Sequence, residues 1–166
     1  DAAGTTPVTA LGQPVGRILD KSGRGNHATQ TTAASRPTLQ QDSNGMYYLS
    51  FDGTDDGMAT PSINFTGTDK MTVWAGVRKL SDAATGTVVE LSATKNANNG
   101  VFALFAPLTP AATEVSWHSK GTTERFGFSL GNAAPITVVA TGIADIGADI
   151  VRLRLNGGAK VAESLI

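Results

Sequence analysis

The chain contains no cysteine, which removes disulfides and thiolate metal sites and fits folding in a reducing cytosol, with a later life outside the cell left open. Neither sign of charge prevails, since 13 Lys+Arg face 14 Asp+Glu for a net −1. Without a global field to draw in DNA or an anionic membrane, nucleic acid is not an expected partner. Long apolar runs are missing too, and nothing approaches the roughly 20 residues that span a bilayer. No charged-then-apolar leader opens the chain, so we expect a soluble domain with no membrane partner. The initiator Met is absent, and the start at Asp1-Ala2-Ala3-Gly4 reads as part of something longer. Aromatics at 6% and charged residues at 16% are scarce, which argues against amphipathic helices.

What is present is glycine, 19 residues of it, with abundant threonine, a composition of turns and strands. At 166 residues the chain fits one domain over 1–166, able to bury roughly 68–70% of its unfolded surface. Residues 1–14 are small and polar with Pro7 and Pro14 as breakers and read as an extended leading segment. A short strand over 15–20 ends in the turn chemistry of Ser22-Gly23-Arg24-Gly25-Asn26. After a loop over 27–34 that holds at most a short strand, Arg36-Pro37 forces an extended conformation.

Residues 46–51 place Tyr47, Leu49 and Phe51 on one face, and we expect this strand in the middle of a β-sandwich. Residues 71–78 put Met71, Val73, Ala75 and Val77 on one face, opposite Thr72, Trp74, Gly76 and Arg78. Further strands are expected over 87–92, 101–106, 114–118, 124–130, 136–141 and 150–155. Turns separate them at 96–100, Lys120-Gly121, Gly131-Asn132 and Asn156-Gly157. In the last strand Val151, Leu153 and Leu155 oppose Arg152 and Arg154, a core face and a wet face. The one helical candidate is a turn at 80–84, which has caps but no length. Residues 160–166 begin another strand, and the apolar end Leu165-Ile166 suggests that sandwich partners lie beyond it.

Taken in order, Leu19-Asp20-Lys21-Ser22-Gly23-Arg24-Gly25-Asn26-His27-Ala28, Arg36-Pro37, Leu49-Ser50-Phe51-Asp52-Gly53-Thr54-Asp55-Asp56 and Thr72-Val73-Trp74-Ala75-Gly76-Val77-Arg78 form a pattern. It resembles the concanavalin A-like lectin/glucanase superfamily, in its laminin G-like branch carried by phage and prophage structural proteins. The resemblance covers residues 15–156. It implies an all-β jelly roll of two antiparallel sheets, with further closing strands after the Asn156-Gly157 hairpin, expected either beyond the given sequence or from another chain.

Catalysis finds little support. Glucanases of that superfamily carry Glu-x-Asp-x-x-Glu on one strand, which presents alternate acids to a cleft. Glu90, Glu114, Glu124 and Glu163 each lack a second acid two or four positions on. His27 and His118 are the only histidines, outside any Gly-x-Ser-x-Gly motif, and His27 is expected to hydrogen-bond within its loop. The Ser22 to Asn26 turn lacks the lysine and following helix of a phosphate cradle. Asp52, Asp55 and Asp56 raise calcium, which laminin G-like domains hold at the sandwich rim, although Asp-Gly pairs are ordinary turn formers.

For sugar binding, Trp117 and His118 with Arg125 and Phe126 on the following strand offer an aromatic face beside planar polar groups. Equally, Trp117 belongs to the core, and Trp74 is expected there. The expected function is a noncatalytic module of a phage or prophage particle, made in the bacterial cytoplasm and displayed on the virion. It would bind host-surface carbohydrate or another virion protein, with a homo-oligomer compatible with either. The alternative is a purely architectural virion domain with protein-only contacts, and a glycoside hydrolase comes third.

Overall fold

The structure, a computed structural model, describes residues 1–92, 100–120, 124–148 and 150–159, together with the backbone of 162–163. The expected turns over 96–99 and at Gly121, and most of the expected strand over 160–166, lie outside the described residues. The chain is all-β with antiparallel sheets, and its contacts divide it into two compact units, Asp1–Thr66 and Gly67–Ile166.

In unit 1, β1 (Arg17–Ile18) pairs with β2 (Ala28–Thr29), and β3 (Thr38–Gln41) pairs with β4 (Tyr47–Ser50). A 3-10 turn at Ala33–Ser35 lies between the two pairs. Carboxylates shape the loops. Asp1 accepts from the amides and hydroxyls of Thr5 and Thr6, and Asp42 accepts the amides of Asn44 and Met46. Residues 1–13 are thus a run of turns rather than extended, joined to β3 where the Leu39 amide donates to the Gln13 carbonyl and the Leu39 carbonyl accepts the Gly12 amide. The strand expected at the heart of a sandwich is instead half of a two-stranded sheet, with Tyr47 66% and Phe51 51% exposed. Its partner β3 reads Thr-Leu-Gln-Gln and offers one apolar side chain, so period 2 in β4 had little to pack against.

Unit 2 is β-sandwich-like. One sheet is the meander β6 (Thr87–Glu90), β7 (Val101–Phe105), β8 (Val115–Lys120) and β9 (Glu124–Ser129). The other has the order β12 (Ala162–Glu163), β11 (Ile150–Leu155), β10 (Ile136–Asp145) and β5 (Lys70–Lys79). The chain therefore starts in the second sheet, crosses to build the first, and returns. Between the sheets Phe102, Leu104, Val115 and Trp117 meet Val138, Ala140, Ala144, Val151 and Leu153, with Met71, Val73, Ala75 and Val77 against them.

Strand β10 runs past Thr141 through a glycine that reads as a stop. A Cβ on Gly142 would fall 2.7 Å from Trp117 Cε3 and 2.8 Å from Cε2, so only bare backbone leaves room for the indole. Asn156 and Gly157 take φ of +53° and +69°, the left-handed pair expected of a tight turn. Residues 80–84 form no helix: the Ser81 hydroxyl accepts the Ala83 amide in a bend. Nearby, Lys79 is buried and ion-paired with Asp82 at 2.6 Å, and the other Asp82 oxygen accepts the Ala134 amide.

Candidate functional site

Side chains directly opposite one another on paired strands share a face, so the registers decide which of the expected sugar-binding residues can act together. Trp117 is opposite Gly127 and Ser119 opposite Arg125, while His118 is opposite Phe126. Trp117 and Arg125 therefore face the sandwich interior and His118 with Phe126 the other side. The expected platform of Trp117, His118 and Arg125 is split by the sheet. Trp117 is fully buried and stacks on Phe102 at 6.0 Å. Its Nε1 has no hydrogen-bond partner among the described residues.

The most exposed aromatic among the described residues is Trp74. The four inner residues of β5 meet the core, which turns Trp74 outward to 71% exposure, the reverse of the expected core position. Beside it along the strand, Thr72 and Gly76 share the outer face, and a Cβ on Gly76 would meet nothing within 4 Å. The ring therefore has open space on one flank. Across the sheet the row runs Trp74, Thr141, Arg154, and a second row runs Thr72, Ile143, Arg152. Arg78 and Val139, 51% exposed, complete the surroundings. At the end of the face Lys70 binds Asp145 at 2.8 Å. The Lys70 partner holds the Asp145 carboxyl below its usual range, helped by the Ala148 amide. An aromatic plane with hydroxyl and guanidinium groups around it suits the apolar face and hydroxyls of a sugar.

His118 belongs to a polar group inside unit 2. Its Nδ1 lies 3.0 Å from Glu124 Oε1 and its Nε2 lies 3.2 Å from Ser116 Oγ. Phe105 meets the ring edge-on at 5.2 Å and Phe126 stacks on it at 5.5 Å. The order Ser-His-Glu matches that of a nucleophilic triad, but Ser116 and His118 are 2% and 3% exposed. Strand β8 is also paired on both sides, which commits its amides to the ladder and leaves none to stabilise an oxyanion. The arrangement satisfies buried polar atoms.

In unit 1 the oxygens of Asp52, Asp55 and Asp56 come within 4.8 Å of one another. They are already in use. Asp52 Oδ1 accepts the amides of Thr54, Asp55 and Asp56, Asp56 Oδ2 accepts the Asp52 amide, and Asp55 Oδ2 accepts from the Ser35 hydroxyl. The Thr54 amide leads the interactions that lower the Asp52 pKa. Each aspartate keeps one oxygen outside these bonds, about half the shell that calcium takes with its six to eight oxygens. The hydrogen bonds make the group a brace for its own loop.

Asp20 plays the same part in the loop that follows β1. Its oxygens accept the Ser22 amide, the Ser22 hydroxyl and the Asn26 amide, and its pKa falls to about 2, chiefly through the Ser22 hydroxyl. His27 Nδ1 accepts the Asp20 amide at 2.9 Å, so the histidine closes its own loop as expected. No helix among the described residues is long and apolar enough to cross a membrane. Compared with known proteins, the chain matches no protein-family model, no curated protein and no solved structure.

Proposed function

We propose that the chain is a noncatalytic, concanavalin A-like jelly-roll module of a phage or prophage particle, displayed on the virion, which binds host-surface carbohydrate through the outer face around Trp74. The observation that carries this reading is the exposure of Trp74, 71%, on a regular strand paired along its length with β10. A tryptophan left in water on a sheet gains nothing for the fold, and a sugar ring is the ligand its flat face suits. The absence of catalysis is supported by the use of the acids: Glu124 holds His118, Asp82 holds Lys79 and Asp145 holds Lys70. The order of motifs from Leu19 to Arg78 supports the phage setting by resemblance.

A second reading, an architectural virion domain with protein-only contacts, draws on unit 1, where Met46, Tyr47 and Phe51 are each more than half exposed. An array of bacterial surface glycans separates the two. The first reading expects the protein to bind a subset of glycans and Trp74→Ala to lose that binding while keeping its circular dichroism spectrum. Absence of binding across the array would favour the architectural reading.

A further inference from the structure

Resting on the reading of the Trp74 face as a glycan site, we infer that this face selects an anionic glycan and that Arg154 supplies the group that binds the acid. The registers set Trp74, Thr141 and Arg154 side by side on β5, β10 and β11. Two strand spacings, about 10 Å, separate the first from the last. All three side chains project from the same surface, with a hydroxyl between the aromatic ring and the guanidinium.

The balance of charge on this face is what points to an acid. The outward positions of the three strands are Lys70, Thr72, Trp74, Gly76 and Arg78, then Thr137, Val139, Thr141, Ile143 and Asp145, then Ile150, Arg152 and Arg154. Asp145 is the one acid among them and is taken by Lys70. Arg152 sits in register with Glu163 on β12. Arg78 and Arg154 are exposed and make no ion pair or hydrogen bond among the described residues. Two guanidinium groups without a partner among the described residues thus share the outer face with Trp74 on a chain whose net charge is −1, a local excess that the composition does not require. A guanidinium pairs with a carboxylate or a phosphate through parallel hydrogen bonds, so uronic-acid and phosphodiester glycans share the needed chemistry. Single-stranded nucleic acid, the other ligand of arginine and aromatic surfaces, stacks successive bases on several rings along a basic groove. Here one ring stands alone.

The test titrates the full chain with hexagalacturonate, its fully methyl-esterified form, a glycerol-phosphate oligomer and a twelve-nucleotide oligothymidylate. Quenching of Trp74 is followed, with the buried Trp117 as internal reference. We expect one or both acidic saccharides to bind at least 10-fold more tightly than the ester, and added salt to weaken them. Binding of hexagalacturonate alone marks a carboxylate site, and of the glycerol-phosphate oligomer alone a phosphate site. Arg154→Gln should erase the preference, bringing the acidic saccharide to the same affinity as the ester. Equal binding of acid and ester, or a preference that survives Arg154→Gln, overturns the inference and leaves the glycan reading standing. No saccharide binding at millimolar concentration removes both, and oligothymidylate binding tighter than any saccharide overturns the inference in favour of nucleic acid.

Discussion

Between Asp1 and Thr66 the backbone is shaped by aspartates that accept amide hydrogens, whereas between Gly67 and Ile166 it is shaped by what packs around Trp117. Unit 1 buries Val15 and Pro37 but leaves Leu11, Leu19, Met46, Tyr47, Phe51 and other large apolar residues in the open. Its loops at Asp1, Asp20, Asp42 and Asp52 repeat one device, a carboxylate reaching forward a few residues to orphan amides. Unit 2 sets two four-stranded sheets against each other and buries Leu104, Trp117 and Leu153 completely. A polar loop can be organised residue by residue, while a sandwich exists only when strands distant in sequence have met. The first is local and sensitive to acid; the second is cooperative and sensitive to volume.

The sharpest way to break this contrast is to cut into each tryptophan of unit 2. Trp117→Ala removes the largest buried side chain and should cost about 3–5 kcal/mol of stability in urea unfolding. Trp74→Ala, on the same sandwich but facing water, should change it by no more than about 0.5 kcal/mol. Equal losses would mean that the two faces of the sandwich have been misassigned. A finer version uses glycines on paired strands. Gly142→Ala drives a methyl into the Trp117 ring and should cost about 1–3 kcal/mol through overpacking. Gly76→Ala meets nothing within 4 Å and should leave stability equal or raised by up to about 1 kcal/mol, since glycine is a poor strand residue. A destabilised Gly76→Ala would show that this flank of Trp74 is not open.

How much of this was legible follows the same division. The all-β character and the strands of unit 2 could be read closely, because alternation over 71–78 and 150–155 directly reports burial of one face. Turn chemistry was legible as well: Asn156-Gly157 and the self-closing loop of His27 need only neighbours in sequence. Strand β3 was missed because Thr-Leu-Gln-Gln has no alternation, and β10 was cut short because a glycine chosen by Trp117 resembles a break. The site was the least legible part. Alternation already placed Trp74 opposite the four apolar residues of its strand, yet the general tendency of tryptophan toward the core outweighed it. Whether His118 and Arg125 could join Trp117 depended on the β8 to β9 register, and adjacency along one strand means opposite faces. The row linking Trp74 to Arg154 runs between residues 80 positions apart, through a strand pairing that no short motif records.

The smallest expected effect probes the polar side of the comparison. Asp20 has a folded pKa of about 2 against an ordinary 3.8, so its hydrogen bonds favour the folded loop wherever the carboxylate is charged in both states. That contribution is complete above the ordinary value, shrinks as pH falls below it, and is gone once the pH has passed through about 2. Amide resonances of Ser22 and Asn26 in the folded protein should therefore hold their positions from neutral pH down to about 3 and move together as the pH passes through about 2. Replacing the carboxylate in Asp20→Asn keeps one oxygen as acceptor, so the turn should persist but its acid transition should vanish. The carboxylate itself would then be the element that gives this loop its pH response. A transition unchanged in Asp20→Asn would instead trace it to another acid of unit 1, and the Asp52 loop, whose carboxyl is lowered by the same kind of amide contact, would be the next to substitute.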